Sequence, residues 1–377
     1  MSQNMRRILP LVLAAVVAPA LSAQSVFDSE LRLAPQFMSY QIKAPSNETI
    51  SEISVPAFVS IPFGASFTMD VGTAFANAKV TNGTTTSTIS GLTDTQIRGN
   101  LTLGSDFLIL TAGVNLPTGR SSVTLDQLTA AGRIGNDFLA FPISNMGTGL
   151  AATAGIAVAQ PLGDWNLGFG GAMRKSQTYD PFNIPGQTLR FTPGDEYRVR
   201  VGVDKATSGG RVSFGLTYSA FGEDDAGGSV YSTGNRLIAQ TVITNQISGS
   251  DVTFAAYNLF RQPGHYASGD PAGSENIANA YLGVGLRMFG TTVEPSFEGR
   301  HWFQNVVAAA GSGAVDRTQY SMLGTVGLRT KMEGAGFAAF PSVGYTFGQL
   351  ATLDAANAPT HALFTGFRAQ LAIRVSQ

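Results

Sequence analysis

Residues 196–205, EYRVRVGVDK, alternate in type from one position to the next. Val199, Val201 and Val203 share a phase with Tyr197, while Arg198, Arg200 and Asp204 occupy the other. Successive side chains of a β-strand point to opposite faces, so the segment has one apolar face and one charged face. The same period of two recurs along the chain. RGNLTLG sets Arg98, Asn100 and Thr102 against Ile97, Leu101 and Leu103, and RVSFGLTYSAF sets Arg211, Ser213, Thr217 and Ser219 against Val212, Phe214, Leu216 and Tyr218. In VEPSFEGRHWF, Glu294, Ser296, Glu298 and Arg300 oppose Val293, Pro295 and Phe297; near the end Arg368, Gln370 and Arg374 oppose Phe367, Leu371, Ile373 and Val375. So many alternating segments, with almost no helical pattern between them, restrict the chain to a barrel or a very large sandwich.

The connections decide between these. Short breaks fall at 64–65, 104–106, 161–163, 207–210, 249–250, 289–290 and 333–336. Longer polar breaks lie between them, at 43–48, 81–92, 117–147, 178–193, 222–233, 263–276, 306–316 and 350–360. Short and long alternate throughout, whereas Greek-key connections would mix them. The pattern predicts an all-β fold, a transmembrane up-and-down antiparallel β-barrel of about 16 strands with 14 as the alternative, with short periplasmic turns and long extracellular loops.

In such a barrel the apolar phase meets lipid and the polar phase meets a wet lumen. The lumen-facing candidates are Asp70, Arg98, Arg198, Arg200, Arg287, Glu294, Glu298, Arg300, Arg368 and Arg374, with Glu30, Arg32, Glu52, Glu196, Asp204, Arg329 and Lys331 in the same phase. They suit either cross-strand pairs in a solvated lumen or a basic ladder that selects anions. Phe58, Tyr257, Leu323 and Phe340 are apolar lumen candidates, as are Ile238 and Leu259, either as a patch for a hydrophobic solute or as packing for an infolded loop. Aromatic girdles at both membrane interfaces are expected from Phe63, Phe67, Phe107, Trp165 and Phe289 beside the short turns. Phe75, Tyr218, Phe221, Phe260, Trp302, Phe303 and Tyr320 supply the other, near the long loops.

The N-terminus reads as a Sec-type signal peptide, residues 1–23. Arg6 and Arg7 precede the apolar run Ile8–Ala20, too short to span a bilayer comfortably, and cleavage is expected after Ala23 or Ala20. Residues 24–377 are then one outer-membrane barrel domain, exported to the bacterial outer membrane, with outer-membrane lipid and the barrel-assembly machinery as partners. The low charged content of 13% fits this class, a net charge of −1 argues against a nucleic-acid partner, and the lack of Cys excludes disulfides and thiolate metal sites.

The break at 117–147 contains TLDQLTAAGRIGNDFLAF, in which Leu125, Leu128 and Ala131 have rough helical spacing and Thr124 or Asp126 could cap the start. Two readings stand: a short helix over the mouth, or a loop folded inward that narrows the pore. Catalytic signals are weak. GTGLAA at 147–152 matches a loose dinucleotide fingerprint but lacks the required strand before and helix after it. His265 and His361 fall in or beside loops, and His301 shares the outward phase without a Ser partner, since Ser321 falls inward. No catalytic residue, cofactor or metal site is expected, and the chain is read as not an enzyme.

The stretch GLTDTQIRGNLTLGSDFLILTAGVNLPTG, Gly91–Gly119, resembles outer-membrane transporters of the long-chain fatty acid and aromatic-hydrocarbon uptake type, and the related meta-pathway phenol-degradation outer-membrane proteins. The shared residues are Gly91 and Asp94 at a strand start, then Gly113, Val114, Asn115, Leu116, Pro117, Thr118 and Gly119 leading into a long loop. The resemblance implies passive uptake of small hydrophobic or aromatic molecules. The alternatives are a general aqueous porin and a non-transport envelope or adhesion barrel.

Overall fold

The computed structural model describes residues 30–43, 47–104, 107–288, 290–309, 315–353 and 358–376. The expected leader at 1–23 and Phe289 lie outside the described residues. Sixteen strands form one antiparallel cylinder. They are β1 (Glu30–Leu33 and Gln36–Lys43), β2 (Glu48–Phe63), β3 (Phe67–Asn82), β4 (Thr85–Leu92 and Thr95–Leu103), β5 (Leu108–Leu116), β6 (Ala151–Leu162), β7 (Trp165–Ser176) and β8 (Glu196–Thr207). Then come β9 (Gly210–Phe221), β10 (Arg236–Ile247), β11 (Ser250–Arg261), β12 (Ser274–Met288), β13 (Thr291–Val306), β14 (Arg317–Gly334), β15 (Phe337–Leu353) and β16 (Pro359–Ser376).

Each strand pairs with its chain neighbours, and β16 closes on β1 with Leu31 opposite Val375 and Gln36 opposite Gln370. Pro35 interrupts β1 because it has no N–H to give the ladder. The register nevertheless continues across it, with the Leu371 N–H donating to the Pro35 carbonyl at 2.9 Å.

The alternation resolves as oil outside and charge inside. Tyr197, Val199 and Val201 are 51%, 58% and 37% exposed, whereas Arg200 and Asp204 on the same strand are 9% and 6% exposed. Phe169, Phe214, Phe254, Leu282, Phe297, Val326, Tyr345 and Phe367 continue the apolar exterior around the wall. A closed cylinder leaves no unpaired edge, which is the condition for a sheet to sit in hydrocarbon. This is a bacterial outer-membrane barrel.

Two expectations are corrected. The break at 81–92 is not a long loop. A two-residue turn at Gly83–Thr84 joins Asn82 to Thr85, with Gly83 at φ +57, and the chain continues as strand to Leu92. The Ser- and Thr-rich run resembles a loop in composition, yet it alternates: Ser87 and Ile89 are buried inside while Thr86 and Thr88 are exposed. Phe221 and Trp302 are not girdle residues. Both belong to the inward phase, Phe221 beneath the Arg236 guanidinium at 5.3 Å and Trp302 donating through Nε1 to Glu275 at 2.5 Å. At the short-turn end Phe63 packs on Phe67 at 5.8 Å and Trp165 lies under Lys205 at 5.5 Å. Phe75, Tyr218, Phe303 and Tyr320 are exposed toward the other rim.

Outside the barrel on the long-loop side, Phe191–Thr192, Asp224–Ala226 and Ser229–Tyr231 form a small three-stranded sheet joining two loops.

The register makes a quantitative prediction. Val201→Arg places a charge on the lipid face near the middle of β8 and should lower stability by about 2–4 kcal/mol in chemical unfolding from lipid vesicles. The same replacement at the lumen-facing Thr153 should cost much less.

Candidate functional site

The interior is dominated by the chain between β5 and β6. It folds inward, and the helix over the mouth is only its first part. A 3-10 turn at Leu125–Gln127 leads into α1 (Leu128–Ile134), with the Gln127 side chain accepting the Thr124 N–H at 3.2 Å. The apolar spacing is corrected here: Leu125 and Leu128 are exposed, and α1 buries Ala130 and Ile134 instead. The reason is a polar anchor, since the Ser87 hydroxyl on β4 donates to the Asp126 carbonyl at 2.5 Å and accepts the Ala130 N–H at 3.1 Å.

Beyond Gly135 the chain drops into the barrel and buries Phe138, Leu139 and Phe141 against Tyr40, Ile50, Ala76, Ala78, Val80, Leu323, Leu350 and Phe364. Burying a large apolar side chain is worth roughly 1.5–3 kcal/mol, so the loop is firmly held. Its backbone is held as well. Tyr40 donates to the Leu139 carbonyl at 3.1 Å, Arg300 to the Phe138 carbonyl at 2.8 Å, and the Ile143 N–H donates to Glu52 at 3.0 Å. Arg133 forks onto Glu48 at 2.6 and 2.7 Å, and Arg261 reaches Asp137 at 3.0 Å.

The base of this loop is a clasp built on Asp94. Its carboxylate, 7% exposed, accepts the Gly119 N–H at 3.1 Å and the Thr148 N–H at 2.7 Å, gripping both ends of the loop. Thr118 accepts the Thr95 N–H at 2.8 Å, and Arg120 donates to the Ser90 carbonyl at 3.0 Å. A side chain at Gly119 would collide with the backbones of Met146 and Asp94. Asp94, Thr118 and Gly119 of the Gly91–Gly119 stretch thus act together at this clasp.

Below the loop lies a belt of charge. Glu298 accepts from Arg300 at 2.8 Å, Arg368 at 3.0 Å and Asn279 at 2.7 Å. Glu294 accepts from Arg329 at 2.6 Å and from the Tyr281 hydroxyl at 2.5 Å. Glu30 sits between Arg32 at 2.7 Å and Arg374 at 3.6 Å. Asp70 accepts from Ser60 at 2.8 Å and Asn100 at 3.0 Å, Arg198 pairs with Glu196 at 2.5 Å, and Arg211 with Asp204 at 3.0 Å. Arg98 stands opposite Asp70 in the ladder, Arg200 opposite Thr217, and Arg287 is exposed near the turn end of β12.

Of the six apolar candidates, Ile238 and Leu259 stand opposite each other in the ladder, while the other four are not brought together. Leu323 packs in the cluster under the loop, Phe58 lies under Arg32 at 5.7 Å, Tyr257 stands opposite Gln240 and Asn279, and Phe340 opposite Ala372. Sequence reasoning missed Tyr40, Glu48, Arg133 and Asp137, whose partners lie 85 or more positions away along the chain. It also missed Asp94 as the loop's anchor, although the Gly91–Gly119 stretch marked it.

The loop's polar contacts inside the barrel go to β1, β2, β4, β11 and β13. β5, β6 and β7 present mainly small residues inward, Gly113, Thr153, Gly155, Gly170 and Ala172, with Arg174 above them donating to the Thr148 hydroxyl at 3.3 Å. At the extracellular mouth a cavity of about 300 Å³ is lined by Arg133, Asp137, Phe138, Arg261, Glu275, Trp302, Gln304 and Gln319. On the lipid face, His301 stacks on Tyr320 at 6.3 Å and Tyr320 meets His361 at 4.4 Å. Ser321 points inward, its hydroxyl accepting the Ala351 N–H at 2.8 Å, so no His–Ser pair forms. Among the described residues no three His, Asp or Glu are grouped to hold a metal.

No protein-family model matches the sequence, and no curated protein sequence matches it. Among solved structures, the chain is similar to Pseudomonas putida OprB, with a TM-score of 0.46, 9% identity, and 92% and 94% of the two chains covered. It is also similar to a deletion mutant of the TodX monoaromatic hydrocarbon channel, with a TM-score of 0.45, 8% identity, and 93% and 91% covered. A third is the COG4313 outer membrane channel from Pseudomonas putida F1, with a TM-score of 0.37, 10% identity, and 94% and 99% covered. At such identities these proteins say nothing of the solute this barrel handles.

The clasp can be tested directly. Asp94→Ala leaves two backbone N–H groups without their charged acceptor, a loss of roughly 1.5–3 kcal/mol for such a bond. Trypsin should then cut at Arg120 or Arg133 at least about tenfold faster, while the barrel keeps its heat-resistant gel mobility. Asp94→Asn, which retains one acceptor oxygen, should fall between.

Proposed function

We propose that this protein is a passive outer-membrane channel for small molecules, narrowed by its own infolded loop. The observation that carries the reading is the asymmetry of the lumen. The loop packs against β1–β4 and β14–β16, and the wall of β5–β7 is lined largely by small residues, Gly113, Gly155, Gly170 and Ala172, with Arg174 among them. Small residues there leave a lane for a solute, and the charged belt keeps it wet.

The solutes we propose are small molecules with an aromatic or other apolar part. The Gly91–Gly119 resemblance supports this, and so do Phe138 and Trp302, whose rings lie 6.3 Å apart at the mouth. The charged interior favours those that also carry a polar group over plain hydrocarbons. A general aqueous porin is the second reading, favoured by the density of ion pairs along the inner wall.

Planar-bilayer recording tests the proposal. The intact protein should conduct weakly, and replacing Asp126–Ile143 with a short Gly-Ser linker should raise conductance several-fold. A steady large conductance that is unchanged by the deletion would favour the open porin. Silence in both forms, with the barrel folded, would overturn the channel and leave an envelope or adhesion role.

A further inference from the structure

On the lipid-facing side, basic side chains gather on one arc in the extracellular half of the wall. Among the described residues, the outward phase of the upper parts of β13–β16 and β1–β3 carries Lys43, Lys79, His301 and His361, all exposed, and no Asp or Glu. Strand register joins three of these. Lys43 pairs with Leu363, Leu363 with Gln349, Gln349 with Met322, and Met322 with His301, so one outward row crosses the wall from β1 to β13. In the next row toward the loops, His361 pairs with Ala351, and its ring reaches past that small residue to lie 4.4 Å from Tyr320. Tyr320 in turn stacks against His301 at 6.3 Å, with 21° between the ring planes. His361 follows Leu363 on the same face of β16, diagonal to Lys43.

The patch is amphiphilic. Leu363, Met322 and Phe347, in the row or just below it, are 60%, 47% and 46% exposed and turn toward hydrocarbon. Tyr and His rings present an apolar body and a polar tip, which suits the level where headgroups meet acyl chains. Beside them on β1–β3 the outward phase changes to Ser39, Gln41, Ser51 and Asn77, uncharged hydrogen-bonding groups, with Lys79 opposite Ser51. With strands about 4.8 Å apart, the row from Lys43 to His301 spans roughly 19 Å. That is far wider than a free inorganic ion. It matches a headgroup that carries phosphates and sugar hydroxyls above its acyl chains. Outward bases have no inward carboxylate to meet, and an anionic headgroup supplies the opposite charge.

We propose that the patch from His301 through Tyr320 and His361 to Lys43 docks a phosphorylated glycolipid of the outer leaflet. The bases meet its phosphates, and Leu363, Met322 and Phe347 receive its chains. The site is independent of whatever passes through the lumen.

To test this, the detergent-purified barrel is titrated with bisphosphorylated lipid A and followed by native mass spectrometry. The comparison ligands are the same glycolipid stripped of its phosphates, phosphatidylglycerol and inorganic phosphate. Saturable binding of the phosphorylated form is expected, at least about fivefold tighter than of the stripped form, the factor one basic group contributes at an anionic lipid surface. Lys43→Gln and His361→Gln should each weaken it by about the same factor. Lys175→Gln, on the outward face of β7 and outside the patch, should leave it unchanged. Absence of binding, or equal binding of the stripped glycolipid or of phosphatidylglycerol, overturns the proposal. So does displacement by inorganic phosphate, which would mark a free-ion site. An affinity unmoved in the folded Lys43 and His361 variants, or lowered as much by Lys175→Gln, overturns it too. The ligand comparison on the unaltered protein decides the matter even where a variant fails to assemble.

Discussion

Everything in this molecule depends on the pairing of its last strand with its first. Hydrocarbon offers no hydrogen bonds, so each backbone N–H and C=O in the membrane must find its partner within the sheet. The β16–β1 ladder, running from Glu30–Ser376 to Lys43–Leu363, removes the last free edge. Closure then dictates the rest. With no slack in register, each residue is committed to oil or to lumen, and a one-residue slip would carry the arginines of β8 into lipid. That β1 keeps its register across Pro35 shows how strictly the constraint holds.

The closed wall creates a second problem, because a cylinder of this size is wider than its own side chains can fill. The chain answers it with two materials. Toward the extracellular end, apolar side chains of the loop pack against small, aliphatic and aromatic residues of β1–β4 and β14–β16, as in an ordinary protein core. Lower down, Glu30, Glu294 and Glu298 gather arginines from neighbouring strands, so most buried charge is compensated at short range. The uneven distribution of these materials leaves the wall of β5–β7 lined largely by small residues.

Strand phase could be read directly from residue type, because the environments on the two sides of the wall differ so sharply. Val199 and Arg200 need no tertiary information to be assigned to opposite faces. Composition misleads where polarity resembles irregularity, as in the Thr85–Leu92 strand, whose small hydroxyl residues line an extension of the barrel and not a loop. It misleads again at Leu125 and Leu128, where a hydroxyl on β4 decides which face of α1 turns inward. Position along the strand does not suffice to place an aromatic residue in a girdle, because Phe221 and Trp302 follow phase and point inward.

The sequence by itself therefore determined the cylinder: its strands, their two faces and the alternation of short and long connections. These follow from period-two patterning, which is local and imposed by the solvent on each side. Only the tertiary structure decided the contents of the cylinder. Whether residues 135–146 lie over the mouth or inside it depends on Tyr40, Glu52 and Arg300 meeting them from strands far apart in the chain. Which carboxylate each arginine meets depends equally on how the strands are registered. No local pattern carries that, because inward charges look alike until the strands close around them.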